Sequence, residues 1–322
     1  MNILYIATDS YLPLLGTSIL SLLENNDSAD IYILSPDLSE KSQNILRDTA
    51  SPYNARIYCI NIAGFEQFFP SAMNTSGFHP IVLARLVADK YLPKSLDTVL
   101  YLDCDVIIDG SLKPLLNVPL NKYAFAAVPE LCMPDTQKAY IGLHDKDIYY
   151  NAGVVLLNLD YWRRSQMADK CVRYANEMQG RLLYNDQDVL NHCCRGHILR
   201  LSHRYNLSPV LHYFPRWFIR SYQPLYYCKS AREYRHILRH PAIIHYLGDE
   251  RPWMKGNHNP YRDRYLHYRA MSPWKDTPLK SGRETYLFCY HMLNLITAVC
   301  PWFRKYFTKF IGIRYYRLFG KK

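Results

Sequence analysis

Within the first hundred residues, short apolar runs alternate with segments of helical period, and that alternation constrains the fold more than any other feature. Residues 2–7 read as a buried strand and residues 30–34, 55–60 and 98–102 as further strands; residues 13–23, 39–50 and 79–91 read as helices, with Ser39 as an N-cap. A β-α-β-α-β-α-β order predicts an α/β fold with a Rossmann-like, mostly parallel central sheet and flanking helices on both faces. In such sheets ligands bind beyond the carboxyl ends of the strands. That rule singles out Ala7 to Tyr11 after the first strand and Asp103, Cys104 and Asp105 after the fourth. Neither place carries a GxGxxG or GxxxxGK[ST] pattern, which argues against a dinucleotide or P-loop site.

Further along, residues 123–128 and 153–159 read as strands. Residues 160–178 read as one long helix capped by Asp160, and residues 186–193 as a shorter one. From residue 213 the periodicity is poor and Pro recurs, so residues 213–284 read as an irregular basic flank closing the site of a domain that spans 1–284. Residues 285–322 form a tail of aromatic and basic residues.

Charge follows the same division. The net charge is +11, yet residues 1–212 carry 18 Lys and Arg against 22 Asp and Glu, and residues 213–284 carry 14 against 6. The tail has seven basic residues and no acid. A mildly acidic body with a basic end disfavours a nucleic-acid coat. Nine cysteines without a CxxC pair point to reduced thiols in a cytosolic protein. The start, MNILYIATDS, lacks a basic n-region, which argues against a cleaved signal peptide. Residues 286–303 are interrupted by His291, Asn294 and Pro301 and only just reach the minimum spanning length, so they are not read as a membrane span.

Four constellations could carry chemistry. Asp103 and Asp105 lie between two apolar runs; so spaced, they can face a divalent cation that neutralises a diphosphate, or be solvated turn aspartates. Asn151, Ala152 and Gly153 stand at the entry of a strand, where an amide and two small residues admit a sugar hydroxyl or simply turn the chain. Asn185, Asp186, Gln187 and Asp188 are a polar cluster that also suits a helix N-terminus, Asp188 most of all. His245 ends an apolar run with Gly248 and Arg251 just behind, so it could ligate the same metal while Arg251 meets a phosphate. A lone histidine is more often a core residue.

Taken in order, the segments IATDSY, ARL at residues 84–86, VLYLDCDVII, YYNAGVVLLNLDYWRR, YNDQDVLN and HYLGDERPW resemble glycosyltransferase family 8. These are retaining nucleotide-sugar enzymes that include bacterial lipopolysaccharide galactosyl- and glucosyltransferases. The resemblance runs from Asn2 to about Trp253 and implies the GT-A fold. It further implies Mn²⁺ (or Mg²⁺) held by Asp103, Asp105 and His245 with the diphosphate of UDP-galactose or UDP-glucose. Ala7, Thr8, Tyr11 and the backbone of Cys104 would then hold the nucleoside. Arg85, Asn151, Ala152, Asp186 and Gln187 would surround the sugar, and Gly248 and Arg251 would close over the phosphates. Retention without a good nucleophile implies front-face substitution, with Gln187 stabilising the reacting centre and Asp186 binding sugar hydroxyls. Glu130 is the candidate for gripping a saccharide or lipid-linked acceptor.

Three positions depart from the family's habit: Thr8 where an acid is frequent, Leu83 where an aromatic is common, and Arg251 where Lys is usual. None touches the metal ligands. The tail suits a peripheral position on anionic lipid at the inner face of the cytoplasmic membrane, in keeping with a lipopolysaccharide acceptor and with no nucleic-acid partner. The alternative is a catalytically silent nucleotide-sugar-binding or membrane-adaptor protein.

Overall fold

The computed structural model describes the chain except for residues 73, 74, 76–78, 132, 223–227, 229, 301 and 304–322. The described strands are β1 (Asn2–Ile6), β2 (Ala29–Ser35), β3 (Ala55–Asn61), β4 (Thr98–Leu102), β5 (Val106–Ile108), β6 (Phe125–Pro129), β7 (Tyr150–Asn158), β8 (Ile198–Arg200) and β9 (Ile243–His245). Seven form one sheet in the order β3-β2-β1-β4-β7-β6-β8. β1 to β4 pair in parallel, as do β6 and β8, while β7 runs antiparallel to both its neighbours. The mostly parallel sheet is therefore as expected, with one reversed strand in its middle.

Both faces are covered, which is why β1 and β4 are apolar from their second residue on. On one face the helix Leu12–Asn25 sets Leu15, Ile19 and Leu22 against Ile3, Tyr5 and Ile31. On the other, Leu86, Val87 and Trp162 pack with Leu4, Val99 and Tyr101. Each such side chain contributes about 1.5–3 kcal/mol by leaving water.

Three local expectations are corrected. Residues 80–90 form a 3₁₀ helix, not an α-helix, and the imidazole of His79 accepts from Ile81 N at its start. The stretch 160–178 is two helices, Leu159–Arg164 and Met167–Met178, broken at Gln166, whose φ is +52°. Asn158, not Asp160, caps the first: its Oδ1 accepts from Tyr161 N, while Asp160 pairs with Arg164 one turn on. The third correction is that β7 starts at Tyr150, so Asn151 and Ala152 lie within the strand and not at a turn.

A second, two-stranded sheet pairs β5 with β9 antiparallel and sets Val106 opposite His245. Behind it lies a third core containing Ile107, Tyr246, Trp253, Tyr261, Tyr265 and Tyr268. The basic flank is more regular than its periodicity suggests, with helices Arg216–Tyr222, Ala231–Arg239 and Arg262–Met271. It packs closely on the sheet domain: a β-carbon on Gly16 would stand 1.9 Å from the indole of Trp274. Asn25 Nδ2 donates to both Ile108 O and the hydroxyl of Tyr268.

The helix Glu284–Val299 returns to this flank. Leu287 and Thr297 are buried, His291 Nε2 lies 2.6 Å from Glu250 Oε1, and Arg283 pairs with Asp249 at 3.1 Å. Phe288, Met292, Leu295 and Ile296 are exposed along its other side. No described helix is long and apolar enough to cross a membrane. The seven basic residues of the tail lie at 304–322, outside the described residues.

Candidate active site

The reversed β7 decides what meets at the carboxyl edge of the sheet. β4 ends there and β7 begins there, so Asp103 lies beside Gly153 and its backbone N–H donates to Gly153 O at 2.8 Å. The β5–β9 ribbon then carries Asp105 and His245 to the same spot, with Tyr246 N donating to Asp105 O at 3.0 Å. The ligand atoms of Asp103, Asp105 and His245 all lie within 4.8 Å of one another.

Each of the three is held from behind. Asp103 Oδ1 accepts from Arg85 Nη2 and from the Tyr101 hydroxyl, which turns Oδ2 toward His245 Nε2, 3.7 Å away. Asp105 Oδ1 stands 3.1 Å from the same nitrogen. His245 is 1% exposed, and its Nδ1 faces Asn206 Oδ1 at 2.9 Å. Nε2 is buried without a hydrogen-bond partner among the described residues. Burial alone would lower the imidazole, yet Asp105 and Asp103 outweigh it and raise its pKa. Burial opposes ionisation of Asp105, but His245 and Arg251 hold that carboxyl below its ordinary range.

These residues fit a divalent cation. Two carboxylates and an imidazole make a mixed oxygen and nitrogen donor set of the kind that first-row divalent metals accept. The space is reserved as well: a β-carbon on Gly153 would stand 2.0 Å from His245 Cε1 and 2.7 Å from Asp103 Oδ2. Only glycine leaves room there.

The helix Asn185–Cys193 supplies the next layer. Gln187 Oε1 accepts from Ala152 N at 2.8 Å and its Nε2 donates to the Tyr149 hydroxyl at 3.3 Å. Asp186 is buried against Arg85 at 2.9 Å; burial pushes its pKa up to about 7, with Arg85 opposing. Asp188 is structural, accepting from Tyr149, Gln137 and Tyr184 N. Arg85 is buried too: it stacks on Tyr101 and bonds Asp103, Asp186 and Ala152 O, so its guanidinium ties the first aspartate to the helix Asn185–Cys193.

The remaining candidates surround this centre. Ala7 and Thr8 are buried at the end of β1, the Thr8 hydroxyl lies 2.8 Å from Ser10 Oγ, and Tyr11 is partly exposed. Burial raises the Tyr11 hydroxyl, while Arg251 lowers it. Cys104 is buried, its Sγ 3.7 Å from Ile6 O. Gly248 has φ +84°, and Arg251 Nε donates back to its carbonyl at 3.1 Å. Glu130 accepts from Asn151 Nδ2 at 2.8 Å and from Leu131 N.

Two residues escape a sequence reading. Asn206 follows a 3₁₀ turn with no pattern to mark it. Asn191 clamps the first residue of β7 by bonding both Tyr150 N and Tyr150 O. Its only signal is its place one turn beyond Gln187.

Comparison with known proteins agrees with this geometry. A family model described as Glycosyl transferase family 8 matches residues 2–256. A protein of Haemophilus influenzae described as a putative glycosyltransferase is 29% identical over 215 residues, which cover 65% of this chain and 64% of that one. The chain thus spans a little under two thirds of that relative. A lipopolysaccharide 1,2-glucosyltransferase of Escherichia coli K12 is 28% identical over 327 residues, 96% of this chain and 92% of that one. Among solved structures, the galactosyltransferase LgtC in complex with donor and acceptor sugar analogues superposes with a TM-score of 0.69 at 25% identity, covering 85% of this chain and 96% of that one.

Proposed function

Since the chain belongs to glycosyl transferase family 8, we propose that it moves a hexose from UDP-galactose or UDP-glucose to a saccharide acceptor with retention of configuration. The observation that carries this reading is the meeting of Asp103, Asp105 and His245 over Gly153, beside Gln187 and Asp186. Those three ligands would hold Mn²⁺, whose part is to neutralise the charge on the departing diphosphate. Arg251, anchored on Gly248 O, adds a guanidinium fork to the same phosphates.

The groups near the sugar are poor nucleophiles as they stand. Gln187 is an amide bonded to Ala152 N, and Asp186 is committed to Arg85. Front-face substitution follows: the acceptor oxygen bonds to the anomeric carbon as its bond to the phosphate oxygen breaks, and the acceptor proton passes to that phosphate oxygen. Gln187 would stabilise positive charge on the sugar, Asp186 and Asn151 would orient its hydroxyls, and Glu130 would face the acceptor. Ala7, Thr8, Tyr11 and Cys104 would line the nucleoside pocket, with Arg85 positioning Asp103 and Asp186.

Relatives that act on lipopolysaccharide and the apolar stripe of Phe288, Met292, Leu295 and Ile296 together support a lipid-linked acceptor met at an anionic membrane surface, on its cytoplasmic face. In this reading 1–284 is the transferase unit and 285–322 its attachment, with no nucleic-acid partner. The test is UDP release from each UDP-sugar with Mn²⁺. Asp103→Ala, Asp105→Ala and His245→Ala should each abolish it; equal slow hydrolysis in wild type and all three variants overturns the reading.

A further inference from the structure

A chain of four side chains runs behind the metal-binding cluster, and its two ends dictate its polarity. At one end stand two groups whose roles are chemically set. The carboxylate of Glu130 can only accept, and it takes Asn151 Nδ2 at 2.8 Å; the backbone N–H of Gly153 can only donate, and it gives to Asn151 Oδ1 at 2.9 Å. Asn151 is therefore oriented, with its carbonyl toward Asn206. Asn206 must answer with its amide nitrogen, which donates to Asn151 Oδ1 at 2.8 Å, and so turns its own carbonyl to His245 Nδ1 at 2.9 Å. The imidazole meets a carbonyl oxygen on that side, which can only accept Nδ1–H, and carboxylate oxygens of Asp103 and Asp105 on the other. Once a cation takes Nε2 from between those carboxylates, the ring keeps its one proton on Nδ1, where Asn206 Oδ1 accepts it.

We propose that Asn206 is a positioning residue which, through the Glu130–Asn151–Asn206–His245 relay, fixes the His245 tautomer that can ligate a cation. This rests on the metal-dependent reading above and adds to it a residue that touches neither substrate nor metal. Asn206 and Asn151 are both almost wholly buried, so water does not substitute for either partner. Amide groups suit the task because each passes on direction by accepting on one side and donating on the other, without acquiring charge. Outer-shell partners of ligating histidines commonly change metal affinity by about 10–100-fold when removed.

The first test reads the ring directly. Nitrogen-15 NMR of histidine-labelled protein loaded with Zn²⁺, a diamagnetic stand-in for Mn²⁺, should give His245 with its proton on Nδ1 and the cation on Nε2. The resonance is assigned by its absence from His245→Gln. A cation on Nδ1 overturns the relay. The second test is Mn²⁺ affinity by calorimetry: Asn206→Ala should weaken it at least tenfold. Asn206→Asp still accepts from Nδ1–H but cannot donate to Asn151 Oδ1, so it should fall between the Ala variant and wild type. Thermal melts without metal check that both variants fold. Equal weakening in folded Ala and Asp variants, or wild-type affinity in the Ala variant, overturns the proposal. Wild type that binds neither cation overturns both readings; wild type that binds Zn²⁺ but no Mn²⁺ strikes the functional reading alone, and the tautomer measurement still decides the relay.

Discussion

The carboxyl edge of the sheet and the helix Glu284–Val299 are built on opposite principles. At the sheet edge Arg85, Asp103, Asn151, Asn206 and His245 each have protein partners on more than one side, and Gly153 leaves no spare room. The helix is held through Leu287, Thr297, the His291–Glu250 pair and the Arg283–Asp249 pair, and leaves a stripe of large apolar side chains exposed. The first region is over-determined, so one altered atom disturbs several neighbours. The second is held at a few points, so its changes should be local and graded.

The largest effect expected is at Gly153. Its replacement by Ala must displace His245 or Asp103, and should lower Mn²⁺ affinity and UDP release together by about a hundredfold, as judged by calorimetry and a UDP assay. A near-normal Gly153→Ala enzyme would break the contrast. Next is Arg85→Ala, which leaves Asp103 and Asp186 without their shared cation; urea denaturation should register a loss of about 3–5 kcal/mol. A loss below about 1 kcal/mol would show that the buried pair is not structural.

Smaller effects belong to the helix. Through His291 it braces Glu250, next to Arg251, so truncation after Glu284 should raise the KM for the UDP-sugar several-fold, while truncation after Cys300 should not. Identical kinetics in the two truncations would separate helix from site altogether. Smallest is the double change Phe288→Ser and Leu295→Ser at exposed positions. It should reduce sedimentation with anionic vesicles several-fold while altering stability by only about 0.5 kcal/mol. Unchanged sedimentation would remove the stripe from the membrane contact.

The same contrast governs what can be read from the chain alone. β1, β2 and β4 are legible because burial on both faces writes itself as apolar runs separated by helical periods, whereas the edge strand β3 has no fully buried residue and shows only as a short apolar-rich run. Ser39 is legible as a cap because capping is local, and its Oγ does accept from Ser42 N. Asp160 misleads because Asn158, two residues earlier, competes for the same role and takes Tyr161 N. The start of β7 is hidden because Asn191 supplies from a helix the bonds that a neighbouring strand would give Tyr150. The pairing of β5 with β9 leaves two apolar runs but no sign that they meet. Asn206 is invisible for a different reason, since its whole meaning lies in which way its amide faces.

Because β9 pairs with β5 across more than a hundred intervening residues, the order of synthesis matters. A nascent chain that has emerged only as far as β8 has both aspartates, Arg85 and Gly153, but neither Asn206 nor the imidazole. Its sheet can begin to form, yet its acidic edge has no third ligand and no relay. A cation held by this cluster must therefore wait for His245, so divalent metal should protect the 322-residue chain from proteolysis and do little for fragments ending before His245.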